Sequence, residues 1–143
     1  MATKIRLKLL SIPIAVAIAV GVVPAGTATA HETERACPRF EKLFREYGLL
    51  PVKTFSYIAW RESRCNPLAI NAKWDENGNM VYHLNKNKTW DSGLLQINSG
   101  HRETVKRICR ADLERLMTLD CNLKVAKYLL DNGGLNHWQA TAP

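Results

Sequence analysis

The fold is decided by the stretch Ile58-Ala59-Trp60-Arg61-Glu62-Ser63-Arg64-Cys65-Asn66-Pro67. Its apolar residues, together with Phe55, recur at the spacing of one face of a helix, and Glu62 is the next position on that face. The pattern begins at Pro51, which is tolerated in a first helical turn, and ends at the Asn-Pro pair. These signals predict a helix that carries Glu62 in its last turn, directed along the buried face.

The position of Glu62 favours acid chemistry. Because burial disfavours an ionised carboxyl group, we expect the pKa of Glu62 to be raised toward neutrality. A carboxylic acid that keeps its proton near neutral pH can protonate a glycosidic oxygen. The simpler alternative is a surface glutamate that pairs with Arg61 or Lys53, and the helical pattern alone favours that alternative.

The N-terminal residues have the pattern of an export signal. Basic residues precede an uncharged, mostly apolar stretch over residues 9–23, and Ala28-Thr29-Ala30 fits the cleavage rule of signal peptidase. We expect residues 1–30 to be a signal peptide that is removed, leaving a secreted, extracytoplasmic protein without stable membrane association. An uncleaved membrane anchor is the alternative. Residues 31–143 then form one small domain.

The charge balance suggests the kind of partner. The chain has a formal net charge of +7 at pH 7, and a modest basic excess remains after the predicted signal is removed. This excess suits an anionic partner such as a bacterial cell wall. Lysines and arginines do not cluster among aromatic residues along the chain, so nucleic acid is not an expected partner.

Four cysteines follow the predicted cleavage site, namely Cys37, Cys65, Cys109 and Cys121. An even number in a small exported domain indicates two disulfides. Of the three possible pairings we favour Cys37–Cys65 and Cys109–Cys121, since each would join the ends of two consecutive helical segments. The chain has no C-x-x-C motif and its histidines are scattered, so we expect no metal and no cofactor.

The rest of the chain predicts a mainly α, α+β domain with a small irregular β-hairpin region. Helices are expected over residues 38–47, 102–109, 112–117 and 122–130, the last with Leu123, Ala126 and Leu130 facing inward. A turn signal, Asp75-Glu76-Asn77-Gly78-Asn79, lies between two short segments with aromatic and apolar residues. It predicts the hairpin region between residues 71 and 98.

A second motif, Asp91-Ser92-Gly93-Leu94-Leu95-Gln96-Ile97-Asn98, follows the first. In this order the two motifs resemble those of SLT-type lytic transglycosylases, in which Glu-Ser and Asn-Pro-x-Ala-Ile-Asn precede Gly-Leu-x-Gln-Ile. Residues 119–129 resemble the Asp-x-x-Asn-hydrophobic helix of that family, although only Cys121 separates Asp120 from Asn122. The chain looks most similar to the small secretion- and conjugation-associated forms and to exported actinobacterial forms, and its second motif is also similar to that of animal-type lysozymes.

The resemblance implies a lysozyme-like fold and peptidoglycan glycan strands as substrate. It implies that Glu62 is the single catalytic acid and that the β-1,4 bond between N-acetylmuramic acid and N-acetylglucosamine is cleaved to a 1,6-anhydro end. The substrate's own N-acetyl group would stand in for a second carboxylate. The family's Ala-Tyr-Asn-x-Gly motif does not follow Trp138 in the printed sequence, and Tyr57, Tyr82 and Tyr128 are candidates to replace its tyrosine.

Other residues of the motifs are candidates for binding, and each has a simpler alternative. Gln96 is expected to contact an N-acetyl group, or else to bond the backbone of its own turn. Asn98 is a candidate sugar ligand or a turn residue. Ser63 is expected to act beside the acid and the substrate, or else to be only a hydroxyl group at the helix end.

Two aspartates are candidates for a second carboxylate, which a hydrolytic lysozyme would need. Asp91 could instead cap the turn at Ser92 and Gly93, and Asp75 could instead serve the hairpin turn. Trp90 is the candidate for stacking on a sugar, whereas Trp60 and Trp138 are expected to be buried. The alternatives to a transglycosylase are a hydrolytic lysozyme and an inactive wall-binding protein on the same fold. We expect a monomer.

Overall fold

The structure is a computed structural model that describes residues 35–71, 73–81 and 84–139. The predicted signal peptide and Tyr82 lie outside the described residues. In chain order the elements are helices α1 (Glu41–Glu46) and α2 (Val52–Ser63), strands β1 (Lys73–Trp74), β2 (Met80–Val81), β3 (Asp91–Ser92) and β4 (Ile97–Asn98), and helices α3 (Arg102–Cys109) and α4 (Leu119–Gly133). The mainly helical fold class is confirmed. Within the described ranges, no helix is both long and apolar enough to cross a bilayer.

Helices α1 and α2 follow the predicted pattern. A 3-10 turn, Pro38–Phe40, leads into α1, and Gly48 reverses the chain at a φ of 70° after the helix ends. Pro51 precedes α2 as its N-cap. Phe55, Ile58 and Ala59 are fully buried on one face of α2, as expected. The buried stripe of α2 therefore fixes the direction in which its last turn points.

The region between α2 and α3 contains two short antiparallel hairpins. In the first, Lys73 pairs with Val81 and Trp74 with Met80. In the second, Asp91 pairs with Asn98 and Ser92 with Ile97. We call residues 75–79, which connect β1 to β2, the outer turn, and residues 93–96, which connect β3 to β4, the inner turn. The outer turn is the predicted one, and the inner turn lies within the second motif.

The C-terminal part forms most of the remaining core. Helix α3 has the predicted bounds, a 3-10 helix occupies Leu113–Met117, and α4 begins three residues before its predicted start. Leu123 and Ala126 are fully buried, as expected, and Leu130 packs partly buried against the core. A 3-10 helix, Gly134–Trp138, follows α4 and was not predicted from the sequence.

Trp138 and Trp60 have different environments, although both were expected to be buried. Trp138 is 3 % exposed, meets Phe55 edge to face, and donates from its indole nitrogen to the carbonyl oxygen of Leu95 at 3.0 Å. The expectation for Trp60 is wrong, because it lies only partly buried on a side of α2 that is covered by arginine side chains. Trp138 thus anchors the last described turn to the second motif.

Two disulfides, Cys37–Cys65 and Cys109–Cys121, hold the ends of these helices. This is the pairing favoured from the sequence. The first bond fixes the residue that follows the left-handed end of α2, and the second joins the last residue of α3 to the first turn of α4. Both bonds therefore stabilise the chain at points where helices end or begin.

Candidate functional site

Glu62 is the penultimate residue of α2 and is half-buried. The helix ends immediately afterwards, since Arg64 and Cys65 both adopt left-handed backbone angles, with φ of 50° and 61°. Non-glycine residues in this conformation are uncommon and are held by the surrounding structure. Here Cys65 is held by its disulfide to Cys37, so the helix end that carries Glu62 has a defined position.

Ser63 connects this helix end to the second motif. Its hydroxyl group lies 2.9 Å from the carbonyl oxygen of Ala59 and 2.8 Å from that of Leu94. The side chain is fully buried, an environment that suits a residue bonded to the backbone more than one that contacts a substrate. The contact with Leu94 brings the last turn of α2 and the inner turn together, although they are 31 residues apart in the chain.

The inner turn is shaped by a residue of α4. Asn122, which is 1 % exposed, donates to the carbonyl oxygens of Ser92 and Leu116 and accepts from the amide of Leu95, each at 3.0 Å. Gly93 has a φ of +81°, and a Cβ there would lie 2.2 Å from the oxygen of Leu116. Only glycine fits this position. Sequence reasoning noted Asn122 in a family pattern but missed this role, for which a buried polar residue on an apolar helix face was the available signal.

Gln96 closes the inner turn through its own side chain. Its amide nitrogen donates to the carbonyl oxygens of Ala69 and Gly93 at 3.0 and 2.9 Å, and its backbone φ is 46°. The simpler alternative considered for Gln96, bonding the backbone of its turn, is therefore present in the structure. The side chain is 9 % exposed and also borders a cavity.

Asp91 and Asn98 form a polar cluster beside this turn. The carboxylate of Asp91 accepts from the side-chain amides of Asn98 at 2.7 Å and Asn85 at 3.0 Å. Asn98 also accepts from the amide of Gly100 at 2.9 Å. The expectation that Asp91 caps the turn at Ser92 and Gly93 is wrong, because its carboxylate is directed to the two asparagines instead.

Three candidates from the second motif share one cavity of about 230 Å³. Both polar and aromatic side chains line the cavity. Its lining residues are Asp91, Gln96, Ile97, Asn98, His101, Leu129, His137 and Trp138. Glu62 is not among these lining residues, and is connected to them through Ser63 and the inner turn.

The two histidines of the cavity were missed by sequence reasoning. The rings of His101 and His137 meet edge to face with centroids 5.3 Å apart, and His137 also contacts Trp138 at 5.9 Å. Burial, and then the neighbouring His137, lower the pKa of His101 from its ordinary value. Tyr57 and Tyr128 are not among the lining residues, so imidazoles rather than either of these phenols border the cavity.

Asp75 and Trp90 lie apart from this cavity. The carboxylate of Asp75 accepts from the amides of Asn77 at 2.9 Å and Asn79 at 2.8 Å, within the outer turn. These hydrogen bonds, led by those from Asn79, lower its pKa. The alternative considered for Asp75, a role in the outer turn, is therefore present in the structure. Trp90 is 36 % exposed and borders a different cavity, of about 350 Å³, together with Ile70 and Met117.

A comparison with models of protein families matches residues 42–139 to the Transglycosylase SLT domain. The chain belongs to this family. At the level of the family, membership implies peptidoglycan-cleaving transglycosylase activity. The matched range includes both motifs, Asn122 and the two histidines. No curated protein matched the chain.

The side chains that could bind a metal ion are a separate question from the family assignment. Among residues 35–71, 73–81 and 84–139, no group of three or more histidine, cysteine, aspartate or glutamate side chains is arranged to hold a metal ion. All four cysteines of the described chain are in disulfides.

Proposed function

We propose that this protein cleaves the β-1,4 bond between N-acetylmuramic acid and N-acetylglucosamine in peptidoglycan and leaves a 1,6-anhydromuramoyl end. The observation that carries the proposal is the bond between the hydroxyl of Ser63 and the carbonyl oxygen of Leu94 at 2.8 Å. It ties the helix end with the acid Glu62 to the turn that presents Gln96 and Asn98. The family match, which covers both segments, supports the same reading.

Glu62 acts twice in the proposed reaction. As an acid, it gives its proton to the glycosidic oxygen while the bond from that oxygen to the anomeric carbon of the muramoyl residue breaks. The N-acetyl oxygen of the same sugar bonds the anomeric carbon from the opposite face. The resulting Glu62 carboxylate then takes the proton of the sugar's C6 hydroxyl group, whose oxygen displaces the N-acetyl oxygen and forms the anhydro ring. Atoms balance without water, and Glu62 ends in its starting protonation state.

The remaining candidates have graded roles in the proposal. Gln96 and Asn98 border the cavity and are proposed to contact N-acetyl groups, with Gln96 also holding the turn. Ser63 positions the acid. Trp90 borders the other cavity, and any sugar contact that it makes would lie outside the cleavage site.

The test is a comparison of released muropeptides by mass spectrometry. The wild-type protein should release products lighter by one water than ordinary muropeptides, and Glu62→Gln should release none. Glu46→Gln is the matched control, since Glu46 is an exposed glutamate at the end of α1 and its loss should leave release unchanged. No product from the folded wild-type protein would contradict the proposal and favour an inactive wall-binding protein.

A hydrolytic reaction is the second candidate, and the cluster around Asp91 favours it. This half-buried carboxylate accepts hydrogen bonds from Asn85 and Asn98 on the cavity wall, and a hydrolytic enzyme needs a second carboxylate beside its acid. Products with the full mass of a reducing end, lost in Asp91→Asn, would establish hydrolysis. Retention of anhydro products in Asp91→Asn would reject a catalytic role for Asp91.

The proposed setting is the extracytoplasmic space. Peptidoglycan lies there, and the two disulfides form in oxidising compartments. We propose a secreted monomer of the kind found with secretion or conjugation systems or as exported actinobacterial enzymes. Release of the protein into the medium with His31 as its first residue, checked by N-terminal mass analysis, would support removal of residues 1–30.

A further inference from the structure

We propose that Arg35, Arg61 and Arg64 form a binding surface for carboxylates of the peptide stems that branch from the glycan strand. This surface, which we call the arginine face, lies at the end of α2, on the segment that carries Glu62. The ligand class rests on the proposed function, since peptide stems are part of peptidoglycan. The packing and charge of the arginines themselves indicate a binding site.

The arginine face is organised around Trp60. The guanidinium carbon of Arg64 lies 3.9 Å from the centre of the Trp60 ring and 5.4 Å from that of Trp74. Arg35 approaches the same Trp60 ring at 5.7 Å. A nitrogen of the Arg64 guanidinium also donates to the carbonyl oxygen of Trp60 at 3.0 Å. Stacking holds the guanidinium in one orientation, so less conformational freedom is lost when a ligand binds.

The ion pairs within the described part of the chain do not take up the positive charge of this face. None of the ion pairs among those residues includes Arg35, Arg61 or Arg64, whereas Lys53, Arg102 and Lys127 each pair with an acid. Burial, and then repulsion by Arg61 and Arg35, lower the pKa of Arg64. Since all three arginines are exposed, an anion can approach them directly and relieve this repulsion.

Carboxylates fit this face by chemistry and by position. The planar fork of arginine binds carboxylates through two parallel hydrogen bonds. A cavity of about 230 Å³ holds only a short piece of a polymer, so the branches of a bound strand must lie on neighbouring surface. Arg61 and Arg64 flank Glu62 and Ser63 in sequence at the end of α2, so a strand that is cleaved at Glu62 passes near this helix end.

The fold thus builds a cluster that the sequence analysis did not predict. No run of arginines among aromatic residues was found along the chain, because the cluster joins Arg35, the end of α2 and Trp74 across tens of residues. A simpler role also exists, since cations near a helix C-terminus favour the helix dipole. A role of that kind would affect folding stability without affecting binding to the wall.

The test measures binding to insoluble peptidoglycan stripped of phosphodiester polymers. The parent protein carries Glu62→Gln so that the wall stays intact. It is compared with a variant that also carries Arg61→Gln and Arg64→Gln, which we call the double arginine variant. Because exposed charge pairs contribute modestly, we expect the two substitutions to weaken binding about tenfold at low salt. Lys86→Gln/Arg115→Gln removes two other exposed charges and should leave binding unchanged. Thermal unfolding of each variant shows whether it is folded. If the double variant is unfolded, the single variants Arg35→Gln and Arg61→Gln test the arginine face, since both leave the stacking of Arg64 in place.

The chemistry of the ligand is tested on peptidoglycan whose carboxyl groups have been converted to amides. The parent protein should bind this material as weakly as the double arginine variant binds untreated wall. Equal binding to both materials, or equal binding by the two proteins, would overturn the proposal. Dependence on phosphodiester polymers alone would also overturn it and assign the face to phosphate.

This outcome is separable from that of the proposed function. If binding depends on the arginines and on carboxylates but the protein without Glu62→Gln releases no muropeptides, the cleavage proposal fails and the arginine face remains. If muropeptides are released and binding does not depend on the arginines, the cleavage proposal stands and the arginine face is rejected.

Discussion

The outer and inner turns each contain a glycine with a positive φ, but they differ in the groups that hold them. In the outer turn, Asp75 accepts from the amides of Asn77 and Asn79, and all of residues 75–79 are exposed. The inner turn is buried and receives bonds from outside itself, from Ser63 on α2 and Asn122 on α4. A turn held by its own residues is a connection, whereas one held by two distant helices fixes those helices relative to each other. The candidate site includes the inner turn, which is held by two distant helices.

The largest expected effect is the loss of stability when a methyl group is added to the glycine of the inner turn, compared with the same change in the outer turn. Gly93→Ala places a Cβ within 2.2 Å of the carbonyl oxygen of Leu116 and 2.3 Å of the Asn122 amide at a φ of +81°. We expect it to lower the free energy of unfolding by more than about 3 kcal/mol. Gly78 has a φ of +79° with nothing within 4 Å, so Gly78→Ala should cost about 1 kcal/mol. Urea unfolding of both variants measures the difference, and equal costs would contradict the contrast between the turns.

A smaller effect should separate stability from activity. Ser63 and Ser56 are both fully buried on α2, but Ser63 bonds Leu94 in the inner turn whereas Ser56 accepts from the amide of Cys37. Each serine-to-alanine variant should lose about 1 kcal/mol of stability. Only Ser63→Ala should also lower the rate of muropeptide release, by about tenfold, since a displaced acid is a poor catalyst. An equal loss of activity in Ser56→Ala would mean that the bond to Leu94 has no special importance.

The smallest effects are those of pH, and the two regions should respond in different ranges. The pKa of His101, beside the inner turn, is lowered from 6.5, so the folded state favours neutral imidazole. Stability should therefore fall as the pH drops from about 6.5 through the lower pKa of the folded protein. The pKa of Asp75 is lowered from 3.8, and its contribution should be lost only below that pH.

Thermal melts across these ranges check the assignment. His101→Gln should flatten the dependence near pH 6, and Asp75→Asn should flatten that below pH 4, with each variant leaving the other range unchanged. If His101→Gln melts with the same pH dependence as the wild-type protein, the electrostatic description of the cavity is incorrect.

Local signals were sufficient for the positions of the four α-helices and of the outer turn. The bounds of α3 and the position of the outer turn follow from periodicity and turn residues over fewer than ten positions. The burial of Trp60 was predicted incorrectly because periodicity does not reveal which groups cover a helix face. Strands β3 and β4 have two residues each, too few to give an alternating pattern.

The candidate site was predictable only in part, because its parts meet across the fold. Glu62, Gln96 and Asn98 stood out through their motifs. The contact between His101 and His137 joins the turn after β4 to the 3-10 helix after α4, and no pattern within either segment specifies it. The structural role of Asn122 likewise depends on three backbone partners outside its own helix, which the sequence of α4 does not specify.

Asn122 also bears on when the protein acquires its site during synthesis. Its partners Ser92 and Leu95 precede it by 30 and 27 residues, and all of the segment that carries Glu62 precedes them. The acid and the second motif are therefore translated before the side chain that shapes the inner turn exists. The site therefore becomes complete only after α4 has been translated and has docked.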